Sequence, residues 1–198
     1  MTDGATAAAR AAVLERAFGP AAEVLEDPDP RPLAVEVAIH PPGFADRSFY
    51  TLCTRGMSDR AMAVPDDVPS SPRAELVLYV DQPGPTFVEL LRTVARMPHA
   101  AGHWLGAGHT LPNGDPPAPL FPGSALDTIL LLESVVAPER DLRRHAEVEG
   151  SPLLLLWPVP ISGAECRLKL ERGTPALLDL FNEHELSFVL DPGRASLV

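Results

Sequence analysis

Cysteine is scarce in this chain of 198 residues: Cys53 and Cys166 lie far apart, outside any CxxC or other metal-type spacing. That excludes a disulfide framework and a zinc knuckle, and reduced thiols are expected. Positive charge is also short, with 16 basic against 27 acidic residues and a formal net charge of -11. A nucleic-acid surface needs clustered Lys and Arg to displace counterions, so no nucleic-acid partner is expected. A basic protein fits this balance better, although acidity also serves simply to keep a protein soluble. Long apolar runs are missing as well. Leu153 to Ile161 is the longest, too short to span a bilayer and interrupted by Pro158 and Pro160. The N-terminus MTDGATAAARAAVLERAF has an early Asp and no long apolar core behind a basic start. It reads as no secretory signal and no membrane anchor, which places the protein in the cytoplasm. Neither GxGxxG nor a phosphate-loop lysine occurs, so no nucleotide is implied and no cofactor is expected.

What is present is ordinary for a globular protein: 45% hydrophobic and 22% charged residues, far from a disordered composition. No repeat and no second hydrophobic core is evident, and the reading is a single domain over residues 1–198, with residues 1–32 forming an N-terminal helix and linker. The helix is expected from Thr6 to Phe18, burying Ala8, Ala12, Leu14 and Phe18 and stopped by Gly19-Pro20. An acidic, Pro-rich linker follows. Strands are expected at Leu33 to Ile39, Ser48 to Thr54 and Ala74 to Val80, pairing as an antiparallel meander. Thr86 and Glu89 have capping-box spacing, and Phe87, Leu90, Leu91 and Val94 then recur as one helical face until Pro98. Leu126 to Val136 is read as a strand, and Pro152 to Ile161 as a strand covered on both faces. Ser162 and Glu165 repeat the capping-box spacing and Thr174-Pro175 opens a second helix, with Gly173 between the two; Ser187 to Leu190 closes with a strand. The fold class is α+β, a mixed and largely antiparallel sheet with helices packed on it.

One segment carries definite chemistry if read literally. His99 to His109 is HAAGHWLGAGH, the histidine and glycine spacing of the extended zinc-protease helix HExxHxxGxxH with Ala100 in place of Glu. That Glu is the general base acting on metal-bound water, and alanine cannot replace it. His99, His103 and His109 still define an alternative metal-dependent hydrolase. Against it stand Pro98 before the first histidine and three glycines among them. The competing reading is a glycine-punctuated loop anchored by Trp104 and Leu105. Gly56-Met-Ser58-Asp59 puts a serine beside an acid but lacks a G-x-S-x-G elbow. Cys53 falls in an apolar strand, where an inert buried thiol is expected.

Five segments, taken in order, form a pattern. They are Thr54-Arg-Gly-Met-Ser58-Asp59, Arg73-Ala-Glu75-Leu76, Gly106-Ala-Gly108-His109-Thr110, Trp157-Pro158-Val-Pro160-Ile161 followed by Glu165, and Asp191-Pro-Gly-Arg194-Ala-Ser196. From about Leu33 to the C-terminus the chain resembles the suppressor of fused family, in a short form similar to bacterial members associated with immunity against polymorphic toxins. The resemblance implies an α+β protein-binding fold with no catalytic centre. It implies a protein partner, and the acidic balance suits a basic toxin. It marks Gly106, Gly108, His109, Thr110, Glu165, Asp191 and Arg194 as candidate binding residues. The same residues could equally hold the scaffold. The GHT glycines let backbone approach a partner or the protein's own core, Asp191 to Ser196 could form a fixed turn, and Glu165 could cap its helix. The resemblance is to the short form without the second domain of the animal proteins, so their contacts are not expected to carry over. A regulatory or structural module is the third reading.

Overall fold

The computed structural model describes residues 4–65, 72–101, 104–136, 147–148 and 151–198. The chain parts into two compact units, residues 1–105 with 133–157 and residues 106–132 with 158–198. The α+β class expected from the sequence is what the strands and helices form.

In the first unit, helix α1 (Gly4–Phe18) is followed by strands β1 (Glu23–Leu25), β2 (Glu36–His40), β3 (Tyr50–Arg55) and β4 (Arg73–Val80), then by helix α2 (Pro85–Ala101). β1 pairs with β2, β2 with β3 and β3 with β4, all antiparallel, so the expected meander forms with one strand more. That extra strand lies in the stretch read as linker. Residues 74–80 of β4 are buried without alternation, as in a strand covered on both faces.

Both helices of this unit bury stripes other than those expected. Ala8 and Ala12 are exposed; the inward positions are Arg10, Leu14, Ala17 and Phe18, a helical spacing whose first member is charged. In α2, Val88, Leu91, Val94 and Ala95 are buried with Pro98, and Phe87 and Leu90 lie at the margin. Thr86 lies inside the helix and not at its cap. The Gly84 carbonyl accepts from the Phe87 and Val88 N–H groups instead, and Glu89 accepts from Arg92. The helix also continues through Pro98 to Ala101, which puts His99 on its last turn. Pro98 has no N–H to donate to the Val94 carbonyl one turn earlier, so the helix continues at the loss of that bond.

Strand β8 (Ser151–Ser162) runs from one unit into the other, and its first half pairs in parallel with β4, Arg73 to Leu76 against Leu153 to Leu156. The register ends there, and Pro158 and Pro160, which have no N–H to donate, follow it. β7 (Glu147–Val148) pairs with the start of β8.

The second unit holds β5 (Thr110–Pro112), β6 (Leu126–Glu133), which ends one residue into the first unit, and the rest of β8, in the order β8-β6-β5. Helix α3 (Gly163–Glu183) follows β8 directly and breaks at Gly173, whose φ of 87° and ψ of 162° separate the two expected helices. Its capping box is complete: the Ser162 hydroxyl accepts from the Glu165 N–H and the Glu165 carboxylate accepts from the Ser162 N–H. Ser187 to Leu190 is not a strand. The Ser187 hydroxyl accepts from the Val189 N–H in a local turn, which competes with ladder bonding.

Candidate functional site

Two buried carboxylates organise the motif segments, one in each unit. Glu75, on β4, is wholly inaccessible. Its Oε2 accepts from the Thr54 hydroxyl at 2.7 Å, and its Oε1 accepts from the Gly56 N–H at 3.0 Å, the Ser58 N–H at 3.1 Å and the Ser58 hydroxyl at 2.6 Å. The turn after β3 is thereby wrapped around one side chain. Gly56 is required in it, since at φ 124° a Cβ would come within 2.2 Å of the Ala34 carbonyl oxygen. Arg10 of α1 completes the cluster with ion pairs to Asp59 and, at 3.8 Å, to Glu75. Arg73 donates to the Ser58 carbonyl at 2.6 Å.

Glu165 is equally inaccessible. Arg194 grips it through both terminal nitrogens at 2.7 and 2.8 Å, while the Ser162 and Leu197 N–H groups donate at 2.8 and 3.0 Å. Those four bonds use the carboxylate's acceptor sites. Burial pushes the carboxyl group up, but the Arg194 bonds, the two backbone donors and the arginine charge outweigh it and hold the group below its ordinary value. Arg194 also donates to the Pro160 carbonyl and lies over the Phe181 ring. Asp191 sits in a turn upstream, its Oδ1 accepting from the Gly193 N–H at 2.8 Å, and Ser124 donates to the Pro192 carbonyl. The C-terminal segment is thus clamped onto the start of α3.

The Gly106–Thr110 loop is laced to β6. Gly108 donates to the Leu131 carbonyl at 2.7 Å, Leu131 donates back to His109 at 2.9 Å, and Thr110 stands opposite Leu130. Gly108 serves its φ of 87° and not a tight approach, because a Cβ there would meet the Thr174 hydroxyl at an ordinary 3.6 Å. Of the seven candidate residues, the structure joins Glu165 and Arg194 directly and sets Asp191 in the turn leading to them. Gly106, Gly108, His109 and Thr110 form the separate β6-bound loop.

A family model for the suppressor of fused protein matches residues 29–195. The chain belongs to the suppressor of fused family. Among solved structures, a Neisseria gonorrhoeae protein described as a suppressor of fused homologue matches with a TM-score of 0.70 and 15% identity, over 98% of this chain and 97% of that one. The Sufu–Fu complex matches at 0.67 and 13%, over 99% and 93%. Drosophila Suppressor of Fused matches at 0.64 and 13%, and there this chain spans 50% of the other. No curated protein matches in sequence. A suppressor of fused-like domain of this kind is consistent with a protein-interaction module.

Two of the three histidines of the zinc-protease spacing, His99 and His109, are among the described residues. His99 Nε2 donates to the Met57 carbonyl at 3.2 Å, and a protonated ring nitrogen cannot ligate a metal. Burial pushes that imidazole below its ordinary value; the bond to Met57 opposes the shift and the Arg60 charge adds to it. His109 belongs to the other unit, and His103 lies outside the described residues. Among the described residues no three His, Cys, Asp or Glu side chains are placed to hold a metal. The Ser58 hydroxyl beside Asp59 is fully buried against Glu75, and both cysteines are free thiols, Cys53 fully buried. Among the described residues no helix is long and apolar enough to cross a membrane.

Arg10 is the partner that sequence reasoning missed. It sits among alanines in a helix read for its apolar positions. Its signal was its place four residues before Leu14, on the stripe that is buried.

Proposed function

We propose that this chain acts, as one domain over residues 1–198, as a cytoplasmic immunity protein that neutralises a toxin by binding it directly, without catalysis. The observation that carries this reading is the engagement of the family's motif side chains. Glu75 and Glu165 are saturated by the protein's own donors, so neither has a free acceptor site for acid–base work. They fix turns and termini onto the sheet, which favours a rigid surface that binds with little loss of freedom. The Sufu–Fu complex among the structural relatives supports a protein partner. The net charge of -11 favours a basic one, since complementary charge speeds encounter.

Co-expression with a toxin encoded beside this gene tests the reading. Restored growth and co-purification of the two proteins are expected. Unrelieved toxicity with no protein recovered in complex would overturn it.

A further inference from the structure

The first unit contains a cleft of about 480 Å³ between β1 and the first turns of α2, within the range of ligand sites. Its floor is apolar, formed by Leu25, Ile39 and Val88, and its rim carries Glu23, Glu26 and Glu89. β1 is the end of its sheet, hydrogen-bonded to β2 alone. Short length and charged side chains limit pairing at such an edge, and β1 has both, with the Leu25 and Glu26 carbonyls already taken by Arg92, so the surface on offer is the cleft beside the strand and not its ladder. Here the exposed positions of β1 are Glu23 and Val24.

The charge in the cleft is not balanced internally. Among the described lining residues Arg92 is the one cation, and its donors turn inward: Nε to the Val35 carbonyl, Nη2 to the Leu25 and Glu26 carbonyls, and Nη1 to Glu89. The arginine therefore secures the end of β1 and offsets Glu89. Glu23 and Glu26 are exposed and have no ion-pair partner among the described residues. Pro83 and Pro85 stiffen one wall, which limits the ordering cost of filling it.

We infer that this cleft takes an extended segment of a partner protein in which an aliphatic side chain is flanked by arginine or lysine. The apolar group seats on Leu25, Ile39 and Val88, and the cations meet Glu23 and Glu26. This rests on the protein-binding reading above and names the surface and chemistry it would use.

A blocked peptide of alternating arginine and valine, titrated into the full chain by fluorescence anisotropy, tests the site without any toxin. Binding is expected, at least about tenfold tighter than that of the glutamate–valine counterpart. It should weaken about tenfold in the Glu23→Lys/Glu26→Lys variant and as salt rises. Both positions are exposed, and a wild-type thermal midpoint confirms the variant's fold. Equal affinity for the two peptides, or affinity unchanged in the variant, would overturn the inference. Full displacement by equimolar free arginine would also overturn it, by showing a small-cation site. Toxin neutralisation that persists in the double variant would sink the cleft alone and leave the immunity reading standing.

Discussion

Glu75 and Glu165 are both wholly buried carboxylates with four hydrogen-bonding donors, yet they are satisfied by opposite means. Around Glu75 the close donors are neutral: two hydroxyl contacts and two backbone N–H groups from β3 and its turn, with the Arg10 charge farther off at 3.8 Å. Around Glu165 one guanidinium grips both oxygens. The first arrangement distributes the carboxylate over a turn that the sheet already holds in place. The second depends on one side chain near the end of the chain. Each fastens an irregular segment, and the β1 cleft proposed as a contact surface has none of the motif residues in its lining.

The largest effect is expected at Glu75. Glu75→Ala leaves Arg10 and the donors of the β3 turn buried without their acceptor, and a loss of about 3–5 kcal/mol is expected from urea unfolding. A loss below about 1 kcal/mol would show that the neutral donors re-pair easily and would reverse the ranking of the two clusters. Arg194→Ala should cost less, about 2–3 kcal/mol, because the Ser162 and Leu197 N–H groups still hold Glu165. Arg194→Lys should recover little, since a point charge cannot reproduce the two-pronged grip.

Acid tests the Arg194 grip on Glu165. The folded-state value of Glu165 lies below its ordinary 4.5, so the stability it contributes is present above that pH and is lost as pH falls through the lower value. In Arg194→Ala burial acts with less opposition, and the loss should begin at a higher pH. Urea midpoints of the two proteins along an acid series would show it; coincident curves would mean that Arg194 does not set the carboxylate's affinity for protons.

The sequence disclosed these regions unequally, for physical reasons. The Ser162–Glu165 capping box was legible because both partners sit at a fixed local spacing on one turn. The strands β2, β3, β4, β6 and β8 were legible from β-branched and apolar runs between turn residues. The Thr86–Glu89 spacing misled, since Gly84 and Pro85 start the helix sooner and Arg92 draws Glu89 away. β1 was hidden because EVL between acidic and proline-rich segments carries no periodicity. Pairings such as Arg10 with Asp59 or Glu165 with Arg194 were illegible as pairings, because only the tertiary fold sets which distant charges meet. HAAGHWLGAGH shows the converse. Its spacing is helical on paper, but residues 104–109 are not helical, so His109 lies off the helix that carries His99.

The smallest effect that still divides the two regions is expected at His40 of the first unit. Its Nδ1 donates to the Gly19 carbonyl at 3.0 Å, and its ring lies against Phe18 at the end of α1. Burial, assisted by the Arg47 and Arg55 charges and opposed by the Gly19 bond, lowers it from 6.5 to about 4. The unfolded chain therefore takes up a proton near pH 6.5 that the folded chain refuses until about pH 4, so stability falls on acidification across that window and no further below it. Between pH 7 and pH 5 the loss from this one group should be about 2 kcal/mol. His40→Asn keeps a donor for the Gly19 carbonyl and removes the titration, so the difference in urea stability between the two pH values should shrink by that amount. An undiminished difference would assign the mild-acid sensitivity elsewhere. A diminished one would mean that the end of α1 yields at a pH above the one at which Glu165 takes up its proton.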